Sequence, residues 1–112
     1  MRRQGRSGRA IQLYSELLER YPHSAEAGSA QIALGMLHLQ SGAAGTALTY
    51  FNRYLGEHPA GQLGAEALWG KTRALTALGR DEEARRDLLR LVSRYPRSTY
   101  ATAARAKLGS TP

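Results

Sequence analysis

Four stretches of the chain carry residue types that could do chemistry. Ala65-Glu66-Ala67-Leu68-Trp69-Gly70-Lys71-Thr72 matches the phosphate-loop pattern if alanine is allowed in its first place. Such a loop needs a preceding strand and a glycine-rich backbone whose amides wrap phosphate oxygens. Glu66, Ala67 and Leu68 are instead strong helix formers, and no strand pattern stands before them. His23, His38 and His58 are the three histidines. Catalytic zinc takes three converging ligands, whereas His23 and His58 fall in separate turns and His38 stands where a packed ring is expected. Asp81, Glu82 and Glu83 offer adjacent carboxylates for acid–base work. At the start of a helix they are better explained by the helix dipole. No serine has a recognisable base and orienting acid. These residues predict no enzyme, no cofactor and no metal site.

The elements that carry these residues repeat. Gly5, Gly42 and Gly79 lie 37 residues apart, and Ala10, Ala47 and Ala84 keep the interval. So do Leu18, Leu55 and Val92, and so do Tyr21-Pro22, His58-Pro59 and Tyr95-Pro96. A fixed period of this size marks units that cannot bury their apolar faces alone and therefore stack. Within each unit the apolar spacing is three and four, as on a helix face. Ala10, Ile11, Tyr14, Leu17, Leu18 and Tyr21 make one face, ended at Pro22. Ser24 is placed to cap a helix that runs to about Ser41, where Gly42 stops it. Further helices are expected over about 43–57, 62–78, 80–95 and 98–108.

Composition bounds the partners. The chain has 112 residues, 42% of them apolar, no cysteine and a formal charge of +7 from 16 basic and 9 acidic side chains. The absence of cysteine excludes disulfides, thiol chemistry and cysteine-ligated zinc. No stretch approaches the ~18 apolar residues of a membrane span, and no apolar segment follows the basic start as a signal peptide requires. No membrane insertion is expected within the chain. The positive charge admits an acidic partner or nucleic acid.

The joint register resembles that of tetratricopeptide repeat proteins. Leu34-Gly35 stand where that family keeps Leu-Gly in the first helix of a unit. Ala47 and Ala84 stand at its small position in the second helix, Phe51 and Leu88 at the large position after it, and Pro59 and Pro96 at the closing proline. Leu108-Gly109 restart the pattern. The period exceeds the usual 34, and Lys71-Thr72 replace Leu-Gly in one unit. The Tyr-Pro-x-Ser turns at 21–24 and 95–98 are similar to those of bacterial envelope proteins, among them the Tol-Pal coordinating and outer-membrane assembly lipoproteins, and of tails of anti-sigma-type regulators. That likeness implies a periplasmic setting, with a cytoplasmic one as the alternative.

The resemblance implies an all-α, right-handed superhelix of antiparallel helix pairs, about six helices in all. Residues 1–7 read as a basic flexible tail, 8–109 as the repeat domain with units ending near Pro22, Pro59 and Pro96, and 110–112 as a C-terminal tail. The chain reads as starting in mid-unit, which leaves open an upstream signal or anchor. The implied function is a protein-interaction scaffold, part of a larger bacterial envelope or regulatory protein, that holds a partner peptide or helix in its concave groove. The family pattern puts Ile32, Met36 and Gln40 of one unit, and Glu66, Trp69 and Arg73 of the next, on that groove. The rival surface is the basic face of Arg85, Arg86, Arg90, Arg94 and Arg97, suited to nucleic acid or an acidic partner. The uncovered helices at the two ends of the repeat predict a homodimer.

Overall fold

The computed structural model describes residues 2–109, with side chains from residue 5 onward. It contains six helices: α1 (Arg2–Arg20), α2 (Ala25–Gln40), α3 (Ala44–Glu57), α4 (Gly64–Ala77), α5 (Asp81–Arg94) and α6 (Thr99–Gly109). No strand occurs among the described residues. Helix α1 begins at Arg2, inside the stretch 1–7 expected to be a flexible tail. No proline lies between Arg2 and Arg20, and Arg and Gln favour helix. Gly5 and Gly8 cost about 1 kcal/mol each against alanine, which the long amphipathic segment after them offsets. Met1 and the tail expected at 110–112 lie outside the described residues.

The turns repeat as the sequence does. The Ser24, Gly61 and Ser98 amides donate to the carbonyls of Tyr21, His58 and Tyr95, three residues back in each case, at 3.1, 2.9 and 3.0 Å. The alternate turns close on glycine. Gly42 and Gly79 have φ of 88° and 76°, the left-handed region where glycine carries no Cβ penalty. The Ala43 amide donates to the His38 carbonyl and the Arg80 amide to that of Leu75, at 2.8 and 2.9 Å. These bonds satisfy the last carbonyls of α2 and α4. The expected caps divide. The Ser98 hydroxyl accepts from the Tyr100 amide at 3.0 Å, a true N-cap bond. The Ser24 hydroxyl instead donates back to the Tyr21 carbonyl at 2.9 Å and makes no cap bond.

Each helix packs on its neighbours in sequence, and in addition α2 touches α4 and α4 touches α6. Helices α1, α3 and α5 make no such contacts with one another. The layer of α2, α4 and α6 is therefore the tighter one and lies on the inside of the curve. Between the layers, Phe51 of α3 is fully buried. A Cβ at Gly35 of α2 would come within 2.7 Å of its ring. A Cβ at Gly70 of α4 would collide with the same ring. Phe51 thus wedges between two glycines from successive units, and burying such a ring is worth about 3–5 kcal/mol against alanine. In the next unit Leu88 stands at the register of Phe51 and Thr72 at that of Gly35. The smaller Leu88 leaves room for a side chain there. Thr72 is buried, and its hydroxyl donates to the Leu68 carbonyl at 2.9 Å.

Candidate partner-binding surface

Helix α4 sits in the middle of the inner layer and carries three of the residues expected on the groove, Glu66, Trp69 and Arg73. Ala67, Leu68, Ala74 and Leu75 are buried and fix its rotation. Trp69 is consequently turned toward α6. Its ring centroid lies 6.4 Å from that of Tyr100, and the Lys107 ammonium stands 6.0 Å over its ring. Trp69 is half-buried, so it packs on α6 while keeping part of its indole at the surface. Arg73, one turn on, is exposed, and Glu66 is half-buried in the first turn. On α2, Met36 is half-buried against the core and Gln40 is exposed.

Ile32 departs from the expectation. It is only 4% exposed and belongs to the core cluster of Phe51 and Leu75. The contact between α2 and α4 covers it, so it cannot line a groove. Its register partner Trp69 is not fully buried and lies against Tyr100 and Lys107 of α6. Tyr100 and Lys107 were missed in the sequence. The signal was available, since α6 follows α4 in the inner layer just as α4 follows α2. The resulting surface is an aromatic shelf flanked by Lys107 and Arg73, suited to an apolar side chain with acidic neighbours.

The five arginines do not form one face. Arg86, Arg90 and Arg94 follow one another at intervals of four on α5, while Arg85 turns to the other side and lines a groove with Leu88 and Leu108. Arg97 lies in the turn before α6. Arg90 pairs with Asp87 at 3.4 Å. Arg94 donates to the Pro59 carbonyl at 3.2 Å and lies 5.6 Å over the Tyr95 ring.

The other candidates for chemistry are structural in their surroundings. Residues 65–72 all lie inside α4, so the backbone there is helical and forms no loop to wrap phosphate. Lys71 reaches Asp87 at 3.2 Å, with side chains 20% and 6% exposed. His38 stacks on Tyr50 at 5.6 Å between centroids and His58 on Tyr54 at 4.9 Å. Among the described residues no three His, Asp or Glu side chains are grouped to hold a metal ion. Glu83 pairs with Arg80, and this bond holds its carboxyl below the usual carboxylate range. The Gln31 amide donates to Glu57 at 2.8 Å and is the main cause of a lowered Glu57 carboxyl, with Arg53 adding to it. Among the described residues no helix is long and apolar enough to cross a membrane.

A search of curated proteins gave no significant match. Two tetratricopeptide repeat models match the chain, one over residues 2–62 and the other over 66–98. Their span agrees with the 37-residue register, the inner and outer helix layers and the glycine-closed turns, and the chain belongs to the tetratricopeptide repeat family.

Proposed function

We propose that this domain is a non-catalytic scaffold whose inner helix layer binds a peptide or helix of a protein partner, with Trp69 as the anchor. Tetratricopeptide repeats generally mediate protein–protein interaction. The observation that carries the finer reading is the half-buried Trp69, held on Tyr100 and Lys107 with Arg73 exposed one turn away. Tryptophan and arginine dominate binding hot spots because they bury large area at small conformational cost. A partner segment with an apolar or aromatic residue beside acidic ones fits this shelf. Met36 and Gln40 extend the surface along α2. The Tyr-Pro-x-Ser turns support a place within a larger bacterial envelope or regulatory protein, which fractionation of cells carrying the tagged parent protein checks.

The test is selection of random peptides on the immobilised domain, followed by titration of the enriched sequences. Trp69→Ala is expected to weaken them about 30-fold, the factor that matches a hot spot of about 2 kcal/mol. Arg86→Ala is expected to change little. Affinity that ignores Trp69, falls steeply with salt and requires Arg86 would overturn the reading and move the site to α5.

A further inference from the structure

We propose that this chain associates with a second copy of itself head to tail, α1 of one copy packing on α6 of the other as α3 packs on α2. The 37-residue register sets Ala10, Tyr14, Leu17 and Tyr21 of α1 at the places of Ala47, Phe51, Tyr54 and His58 of α3. In α3 this stripe is covered by α2. Phe51 lies against Gly35, and the Tyr54 and His58 rings lie against Gly28, where a Cβ would stand 3.1 and 3.6 Å from them. In α1 the stripe is covered only in part: Ala10 is half-buried and Leu17 packs on the α2 cluster, while its two tyrosines are left open. Tyr14 is 37% exposed, Tyr21 60% and the adjoining Leu13 60%.

The fold itself states what covers such a stripe: an inner-layer helix with small residues about two turns apart, as Gly28 and Gly35 are on α2. The chain holds three inner-layer helices, and α6 is the one with no outer-layer helix after it among the described residues. In register, Gly109 of α6 meets Tyr14 as Gly35 meets Phe51. Leu108 meets Leu13 as Leu34 meets Tyr50, which pack in one cluster. Thr102 stands where Gly28 stands, opposite Leu17 rather than the larger Tyr54.

A groove of about 490 Å³ opens beside α6, floored by Ala84, Leu88 and Leu108. The matching place one unit earlier, around Ala47 and Phe51, belongs to a core cluster that also holds Leu75 of the inner layer and Ala84 of the next outer helix. Ala10 of a docked α1 takes the part of that Ala84. Charge agrees with this polarity. The first turn of α5 bears Asp81, Glu82 and Glu83, and the corresponding end of α1 bears exposed Arg6 and Arg9. Charge opposes it at two places: Arg85 and Lys107 line the groove itself, and Arg105 of α6 falls opposite Arg20 of α1. Arg105 is already turned to the Pro96 carbonyl at 2.9 Å, and the association is expected to be weak.

A head-to-tail contact does not close on itself, so further copies add. Sedimentation velocity from about 1 μM to about 1 mM is expected to show a mass that climbs steadily from 12.2 kDa past the dimer, as mass action requires. Tyr14→Glu blocks one face and Leu108→Glu the other, and each variant alone is expected to stay monomeric. Mixed together they retain one good pair of faces and are expected to form a dimer and nothing larger. Circular dichroism melts check that both fold, and Leu13→Glu and Gly109→Tyr replace either one that does not. A wild type that is monomeric throughout overturns the proposal. So does association that survives Leu108→Glu, which means α1 meets α1, and so does a mixture that stays monomeric.

Discussion

Two polar residue pairs join neighbouring helices, and each has a measurable consequence. Lys71 and Asp87 occupy the places held one unit earlier by Leu34 and Tyr50, which pack as apolar side chains. Removing one partner of a buried pair leaves the other charge unmatched, whereas replacing both by apolar residues of similar volume is nearly neutral. Lys71→Leu is therefore expected to cost about 2–4 kcal/mol, the lower end because Arg90 stays beside Asp87. The double variant Lys71→Leu, Asp87→Tyr copies the earlier unit and is expected to return within about 1 kcal/mol of wild type. Urea melts of the wild type and the two variants measure both numbers. Glu57 gives a pH signature. Its carboxyl is lowered in the fold, chiefly by the Gln31 amide. A lowered carboxylate stabilises above its unfolded value of about 4.3, and this contribution is lost as the pH falls through the folded value. Gln31→Met is expected to move the Glu57 titration, followed by NMR, toward the unfolded value and to flatten the acid-side loss of stability. An unchanged Glu57 titration would refute the assignment.

At the scale of the element, helix positions were legible in the sequence because turns and caps are local. Pro22, Pro59 and Pro96, with Gly42 and Gly79, mark the helix ends to within a few residues. The start of α1 was not legible, since a run of Arg and Gly without apolar spacing gives no helical period to read. The close approach at Gly70 was also hidden. Gly35 announces itself by its Leu-Gly context, but Gly70 meets Phe51 from the following unit, 19 positions away. The volume match between units is testable. Gly35→Thr alone is expected to cost about 2 kcal/mol or more, because its side chain enters the Phe51 ring. Combined with Phe51→Leu it reproduces the Thr72 and Leu88 set of the next unit. The pair is expected to cost at least about 1 kcal/mol less than the two single changes summed. Strict additivity in denaturant melts would show that the two positions do not share the space.

The whole molecule is a row rather than a ball. Every helix touches its sequence neighbours, and only the inner layer makes contacts beyond them. Stability in such a row is a sum of unit terms and neighbour interfaces. Helices α3 and α4 have packed neighbours on both sides, whereas α1 and α6 each lack one among the described residues. Native-state hydrogen exchange is expected to be slowest in α3 and α4 and fastest in α1 and α6. Uniform protection across all six helices would contradict the row. Head-to-tail association should also slow exchange in α1 and α6 as concentration rises.

Period, helix class, the helix ends marked by proline and glycine, and family were determined by the sequence alone, because each rests on spacing or on local backbone chemistry repeated every 37 residues. Which inward positions stay open was decided only by tertiary structure. Ile32 and Trp69 are equivalent in register, yet Ile32 is core and Trp69 is half surface. The difference lies in packing partners distant in the chain: Ile32 shares a cluster with Phe51 and Leu75, whereas Trp69 lies against Tyr100 and Lys107. The same holds for the arginines of α5, which share composition but are parted by helix rotation and by their contacts with Asp87 and Pro59.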